Sequence, residues 1–390
     1  MDGPSAIQLD PETGFLNDPA AQALCVALEN GGHRAYFVGG CVRNAVMGVP
    51  ISDIDIATDA VPDQVMGLSK GAGFRAVPTG IDHGTITVVV QDQPFEVTTF
   101  RRDVETDGRR AVIAFSTDLT EDARRRDFTM NALYADRHGQ ISDPVCGLQD
   151  AYDGRVRFIE NAAQRIREDY LRTLRFFRFS AQYAPADAAW DADALSGIAD
   201  NLEGLESLSA ERVGSEMLKL LGAPDPAPAL SVMRQTGVLA RILPGSDPTF
   251  VGPLVHLEQL VKAPIDPIAR LVALGGSEVQ ERLRLSRRNQ RHLDSIRALS
   301  TMTGSAKVVG HIGGLDAGRG AFLLRSAYGN ASVTPAQIDD IATGAGTVFP
   351  ISASDLPHLS GPALGAELKA LKRVWLDSDL SKSKHDLLHP

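Results

Sequence analysis

The hydrophobic period of this chain changes once. Up to the turn-forming run Ser142-Asp143-Pro144-Val145-Cys146-Gly147, short alternating stretches of strand type are interleaved with helical ones; from there to Pro390 the helical period holds almost throughout. Alternation buries one face of a sheet, whereas a 3.6-residue period buries one stripe of a helix, so the two parts need different architectures. The class expected is α+β: a sheet-bearing N-terminal part ending near residue 150, then an all-helical remainder. Gly and Pro punctuate that remainder at Gly222-Ala223-Pro224, Leu243-Pro244-Gly245, Gly252-Pro253 and Phe349-Pro350. At 390 residues there is chain enough for two or three domains with their own cores.

The most informative stretch is Tyr36 to Asp59, YFVGGCVRNAVMGVPISDIDIATD. It reads as a strand (Tyr36 to Val38), a Gly-Gly turn, a short helix from about Cys41 to Met47, a Gly/Pro loop and a second strand carrying Asp53-Ile54-Asp55. Strand alternation puts Asp53 and Asp55 on one face. Like charges held side by side are costly unless a cation sits between them. Mg²⁺ takes a few carboxylate oxygens together with substrate phosphates, and two such ions about 3.5–4 Å apart clamp the attacking and leaving oxygens of a nucleotidyl transfer. Gly39 and Gly40 suit close approach of backbone to phosphate, and Arg43 in the following first turn offers a charged fork to a triphosphate.

Around this stretch, Asn17-Asp18-Pro19 starts a helix running to about Asn30 and ending at Gly31-Gly32, and Thr58 and Asp59 are expected to cap a helix beginning at Val61-Pro62. Strands are expected at Phe74 to Val77, Thr85 to Val90 and Phe95 to Phe100, with Gln91-Asp92-Gln93-Pro94 as a hairpin loop. Glu96 then becomes a candidate third carboxylate. His83 sits in a Gly-flanked loop and reads as structural. Phe100 to Asp118 is charged, contains Asp107-Gly108, and reads as a mobile loop or hairpin over the site. Leu119 to Asp127 reads as helical, and its Arg124, Arg125, Arg126 and Asp127 cluster offers Arg126 and Asp127 as a grip on a ribose and its phosphates. Arg165 to Ala181 reads as one amphipathic helix with Asp169 and Arg172 three apart.

Composition narrows the partners. A net charge of −10 argues against indiscriminate polyanion binding, so any nucleic-acid contact has to be local. Arg282, Arg284, Arg287, Arg288, Arg291 and Arg297 form such a local group. Cys25, Cys41 and Cys146 lack metal-site spacing and read as reduced thiols. No apolar run is long enough for a membrane span and the N-terminus lacks a signal core, so the cytoplasm is the expected compartment and no membrane partner is expected.

Taken together, GGCVRN, DID, TTFRRD, RRDFTMNA, DPVCG, REDYLRTLRFFRF and SAERVGSEM resemble, in order and approximate spacing, the class II tRNA nucleotidyltransferase and bacterial poly(A) polymerase superfamily, and among its members a bacterial CCA-adding enzyme. The match covers about residues 36 to 220. The resemblance implies a polymerase-beta-like nucleotidyltransferase head with a small mixed sheet, followed by an all-helical neck, body and tail. The corresponding divisions are a polar arm at 1–18, head at 19–150, neck at 151–222, and RNA-binding body and tail at 223–390.

It further implies that Asp53 and Asp55 hold two Mg²⁺ ions, that Gly39, Gly40 and Arg43 take the triphosphate and Arg126 and Asp127 the ribose, and that Asp169 and Arg172 read the base. Arg175 and Arg178 count with these nucleotide-binding residues. Hydrogen-bond logic agrees with the base-reading pair: cytosine and adenine each present an amino donor beside a ring-nitrogen acceptor, which an aspartate and an arginine complement. Uracil and guanine reverse that order.

The expected reaction is template-independent addition of CMP and AMP from CTP and ATP to the 3′ end of tRNA. Poly(A) tailing and partial CC or A addition share the head motifs. A non-catalytic RNA-binding protein would be expected to have lost the carboxylate pair. Asn44 stands where the family commonly has aspartate, which puts an Arg43-orienting ion pair in doubt. Lys384-His385-Asp386 gives no support for a metal phosphohydrolase domain. Oligomeric state is left open.

Overall fold

The structure is a computed structural model that describes residues 8–107 and 110–389. Residues 1–7 of the polar arm, and Gly108 of the expected Asp107-Gly108 turn, lie outside the described residues. The chain forms two compact units, Met1–Leu208 and Ser209–Pro390.

In the first unit α1 (Pro19–Asn30) begins where Asp18 accepts from the Ala20 and Ala21 N–H groups at 2.8 and 3.0 Å, and it buries Leu24, Cys25 and Leu28. Then come β1 (Ala35–Val38), α2 (Gly40–Met47), β2 (Asp55–Thr58), α3 (Pro62–Gly71), β3 (Arg75–Gly80), β4 (Thr85–Val90) and β5 (Gln93–Thr99). A hairpin of β6 (Arg101–Asp107) and β7 (Arg110–Phe115) forms its own two-stranded sheet. After α4 (Leu119–Arg124), β8 (Tyr134–Ala135) and β9 (Ile141–Ser142) complete a seven-stranded sheet of order β3-β4-β5-β2-β1-β8-β9. The sheet is mixed, because β2 and β5 run parallel while the other pairs are antiparallel. Val38, Ala57, Phe100, Ala123, Ala132, Tyr134 and Ile159 form a buried cluster beside it. Helices α5 (Leu148–Tyr152), α6 (Ala162–Glu168), α7 (Leu171–Tyr183) and α8 (Ala192–Ala199) finish the unit.

The regular elements of the second unit are helical, beginning with α9 (Ala210–Leu221). Arg270, 1% exposed, donates to Glu258 Oε2 from Nε and Nη2 at 2.9 and 2.6 Å, and to the Leu221 carbonyl at 2.8 Å, so a buried ion pair also satisfies an orphan carbonyl at the end of α9. A separate cluster of Ile351, Leu356, Trp375 and Leu387 holds the C-terminal part.

Several sequence expectations are corrected. Strand β2 starts at Asp55, so Asp53 lies on its lead-in. Thr58 and Asp59 do not cap α3. Val61 holds the cap position, with its N–H donating to Gln64 Oε1 at 3.0 Å, while Asp59 is taken by Arg34 and His33. The β4–β5 turn is Gln91-Asp92 alone, both at positive φ (50° and 63°), and Gln93 and Pro94 already pair in the sheet.

The Arg165–Ala181 helix is two helices. Asp169 is extended (φ −154°, ψ 104°), its Oδ1 accepts from the Leu171 N–H at 3.1 Å and its carbonyl from the Arg172 N–H at 2.9 Å. A short acidic side chain thus competes with the helical ladder and starts a new helix.

Candidate active site

The parallel register pairs Asp55 with Glu96, which puts their side chains on one face of neighbouring strands. Glu96 and Asp53 are exposed and Asp55 is partly buried. Burial, then the charge of Glu96 and that of Asp53, push the Asp55 carboxyl up to about 6, while Arg126 pulls it down. Glu96 and Asp53 are therefore both within electrostatic reach of Asp55, an arrangement that a cation relieves. Among the described residues no group of three or more His, Cys, Asp or Glu side chains is placed to hold a metal ion, so a cation here would need ligands from outside the chain. An open acidic edge of this kind suits a hard cation that keeps water or phosphate oxygens in its shell.

Gly39 adopts φ 70°, ψ −120°, a region effectively closed to residues with a β-carbon. A β-carbon there would lie 3.5 Å from Arg126 Nη1, and one on Gly40 would lie 3.8 Å from Arg43 Nη2, so two guanidinium groups flank the diglycine turn. Arg43 is 6% exposed. Its Nε and Nη2 donate to Asn44 Oδ1 at 3.1 and 2.8 Å, Nη2 to Tyr183 Oη at 2.7 Å and Nη1 to Asn131 Oδ1. The guanidinium lies 4.3 Å from the Tyr183 ring centre and 5.0 Å from that of Phe179.

Arg126 donates to Asp122 Oδ2 at 3.1 Å and to Tyr134 Oη at 3.0 Å. Asp122, 1% exposed, also accepts from Arg125 and the Tyr134 hydroxyl, at 2.8 and 2.7 Å. Burial raises its pKa, but Arg126 and Arg125 overcome that and hold it at about 2.

Asp127 accepts from Arg175 Nε at 2.7 Å, Asn131 Nδ2 at 2.9 Å and the Phe128 N–H at 2.8 Å. Against burial, Arg175 and these hydrogen bonds hold it at about 2. Asn131 thus joins the Arg43 guanidinium to the Asp127 carboxylate. Arg172 donates to Glu168 Oε2 at 2.6 Å and to the Arg165 and Arg125 carbonyls at 2.9 and 2.8 Å, so it is tied to the joint between α6 and α7. Arg178 donates to Gln182 at 3.1 Å and lies over Phe179.

Sequence reasoning missed Asp122, Asn131, Tyr134 and Tyr183. Asp122 was detectable, three and four residues before Arg125 and Arg126. Asn131 stood within RRDFTMNA. Nothing marked Tyr183, which reaches Arg43 across 140 residues.

Residues 35–157 match the Poly A polymerase head domain family, and residues 191–250 match a family described as a probable RNA and SrmB-binding site of polymerase A. The mitochondrial CCA tRNA nucleotidyltransferase 1 of Danio rerio is 31% identical over 373 residues, covering 90% of this chain and 85% of that protein. The chain belongs to the CCA tRNA nucleotidyltransferase family. The human relative of this family is 40% identical over 212 residues, or 54% of this chain, and the chain spans about half, 49%, of its length. The crystal structure of the Bacillus stearothermophilus CCA-adding enzyme in complex with CTP aligns with a TM-score of 0.73 at 29% identity, covering 92% of this chain and 93% of that one. Nucleotidyltransferases of this family use divalent metal ions, and the acidic edge at Asp55 fits one. No helix among the described residues is long and apolar enough to cross a membrane.

Proposed function

We propose that the chain adds CMP and AMP from CTP and ATP to the 3′ end of tRNA. The observation that carries this reading is the position of Arg126, which is within electrostatic reach of Asp55 and 3.5 Å from the β-carbon position of Gly39. The acidic edge and the diglycine turn are therefore parts of one site, the combination that a nucleotidyl transfer needs.

Asp53 and Asp55 hold Mg²⁺, with Glu96 as a third acid beside them. When bound there, the metal would make the RNA 3′-hydroxyl more acidic, easing loss of its proton to solvent, and would offset negative charge on the pyrophosphate leaving group. The Gly39 N–H is taken by the Leu133 carbonyl at 3.3 Å, so it is the Gly40 N–H at the start of α2 that faces the triphosphate, and Arg43 and Arg126 offset its charge. Asp127, fixed by Arg175 and Asn131, accepts from a ribose hydroxyl, and Arg178 adds positive charge along the nucleotide. Asp169 accepts the amino group of cytosine or adenine while Arg172 donates to the neighbouring ring nitrogen, leaving uracil and guanine with unpaired polar groups. The new bond joins the RNA 3′-oxygen to the α-phosphorus as the bond from that phosphorus to the pyrophosphate oxygen breaks. Arg284, Arg287, Arg288 and Arg291, exposed in the second unit, contact tRNA phosphates.

The test is product length on tRNA lacking its 3′ end, with Mg²⁺ and each nucleotide singly and combined. Three additions ending in A are expected. Extension with ATP alone and without arrest identifies a poly(A) polymerase, C-only or A-only products a partial enzyme, and no incorporation refutes the reading. Asp53→Ala and Asp55→Ala should each abolish incorporation while tRNA binding persists. Asp169→Ala should relax selection against UTP and GTP more than it slows CTP.

A further inference from the structure

Asn44 follows Arg43 in α2, and its side chain is used at both ends. An amide has one accepting oxygen and one donating nitrogen. Oδ1 accepts from Arg43 Nε and Nη2, at 3.1 and 2.8 Å, while Nδ2 donates to the Pro50 carbonyl at 2.6 Å. A guanidinium only donates and a carbonyl only accepts, so the partners admit one orientation of the amide. The Asn44 carbonyl also accepts the Val49 N–H at 2.9 Å, giving the loop after α2 a second tie to the same residue. That loop leads through Ser52 to Asp53. Asn44 therefore joins the arginine beside the diglycine turn to the segment that delivers the acidic edge.

The charge balance points the same way. Arg43 is almost fully buried, yet among the described residues its hydrogen bonds go to Asn44, Asn131 and Tyr183, none of them a carboxylate. It is oriented without a direct ion pair, with the Asp127 carboxylate acting on it only at a distance across Asn131, so its positive charge stays available to an anion arriving at Gly40. We infer that Asn44 is a positioning residue for the phosphate-binding half of the site and that the neutral amide, rather than a carboxylate, is what this chain requires there. An aspartate would cancel the Arg43 charge and set a carboxylate oxygen against the Pro50 carbonyl oxygen. The inference rests on the proposed placing of the triphosphate at Gly39, Gly40 and Arg43.

The test is equilibrium binding of CTP and of CMP, each with Mg²⁺ and without RNA, to the full chain and to Asn44→Asp and Asn44→Ala. Both variants should lose about tenfold in CTP affinity, Asn44→Ala through the lost hydrogen bonds to Arg43 and Asn44→Asp through cancelled charge and repulsion of the Pro50 carbonyl, while CMP affinity changes less than about twofold. In an Arg43→Ala background the Asn44 substitutions should have little further effect on CTP. Asn44→Asp binding CTP as tightly as the parent would overturn the inference, as would equal losses for CTP and CMP. Should Asn44→Asp fail to fold, Asn44→Ala decides the positioning role by the same comparison, and folding of Asn44→Ala where Asn44→Asp does not fold supports the demand for an uncharged group, whereas failure of both overturns it. A parent chain that binds CTP no better than CMP would overturn the triphosphate placing itself, and the inference with it.

Discussion

Asp55→Asn separates the electrostatic cost of the acidic edge from its use. The Asp55 carboxyl titrates at about 6 instead of 3.8, because burial, Glu96 and Asp53 disfavour its charged form. A carboxyl whose pKa is raised on folding contributes stability below its unfolded value, and that contribution is lost as pH rises through the folded value. For Asp55 the window runs from about 4 to about 6, and above it the ionised group opposes folding. A shift of about two pK units corresponds to about 3 kcal/mol, an upper bound because solvent screens the exposed Asp53 and Glu96 charges.

Asparagine keeps the shape and removes the charge. In metal-free protein at pH 8 the variant should therefore unfold later than the parent, by at most roughly 6–12 °C for a unit of about 200 residues. The gap should close by about pH 4. Calorimetry across pH 4–8 with a chelator present measures it. Added Mg²⁺ should stabilise the parent and not the variant, and incorporation by the variant should be abolished. A variant less stable than the metal-free parent at pH 8, or a gap that does not change with pH, would refute the reasoning.

Other outcomes follow from individual contacts. Asp122→Asn leaves Arg125 and Arg126 without their buried counter-charge and should cost about 3–5 kcal/mol by urea unfolding near neutral pH. In the parent, that contribution is present above about pH 4 and lost as pH falls through about 2, because the Asp122 pKa is lowered on folding. Glu258→Ala strands the Arg270 charge and should cost about 3–5 kcal/mol, whereas replacing both by apolar residues of similar size should recover most of that loss. Gly147→Ala puts a β-carbon 2.0 Å from the Thr129 carbonyl oxygen, so the turn after Asp127 must shift, with melting and incorporation both reduced. Neutralising Arg287, Arg288 and Arg291 together should lower the slope of log affinity for tRNA against log salt by about 2–3. An unchanged slope would remove them from the interface.

The sequence disclosed most where local chemistry decides the outcome. Asp18 started α1, the sheet and hairpin elements fell close to their patterned stretches, and the period change after Gly147 marked the onset of mainly helical structure. It misled where a side chain had two backbone options. Asp169 fitted the helical period, yet its carboxylate found the Leu171 N–H and broke the helix. Asp53 fitted the alternation, but ladder pairing begins only at Asp55, where Val38 and Glu96 supply partners on both sides. The doubt over Arg43 raised by Asn44 is answered by geometry, since the amide oxygen takes two of its hydrogen bonds. Contacts spanning long stretches of chain, such as Tyr183 to Arg43 and Arg175 to Asp127, carried no local signature.

Helix α7 has 13 residues and, at 1.5 Å per residue, spans about 20 Å. Asp169 lies just before its first turn, Arg175 grips Asp127 from its middle, and Tyr183 at its end meets Arg43. A stiff bar fastened at these points cannot tip at one end and stay still at the other. On the base-reading role proposed for Asp169, a misfit there would be transmitted mechanically to the grips on Asp127 and Arg43, and a wrong base would be punished in alignment as well as in affinity.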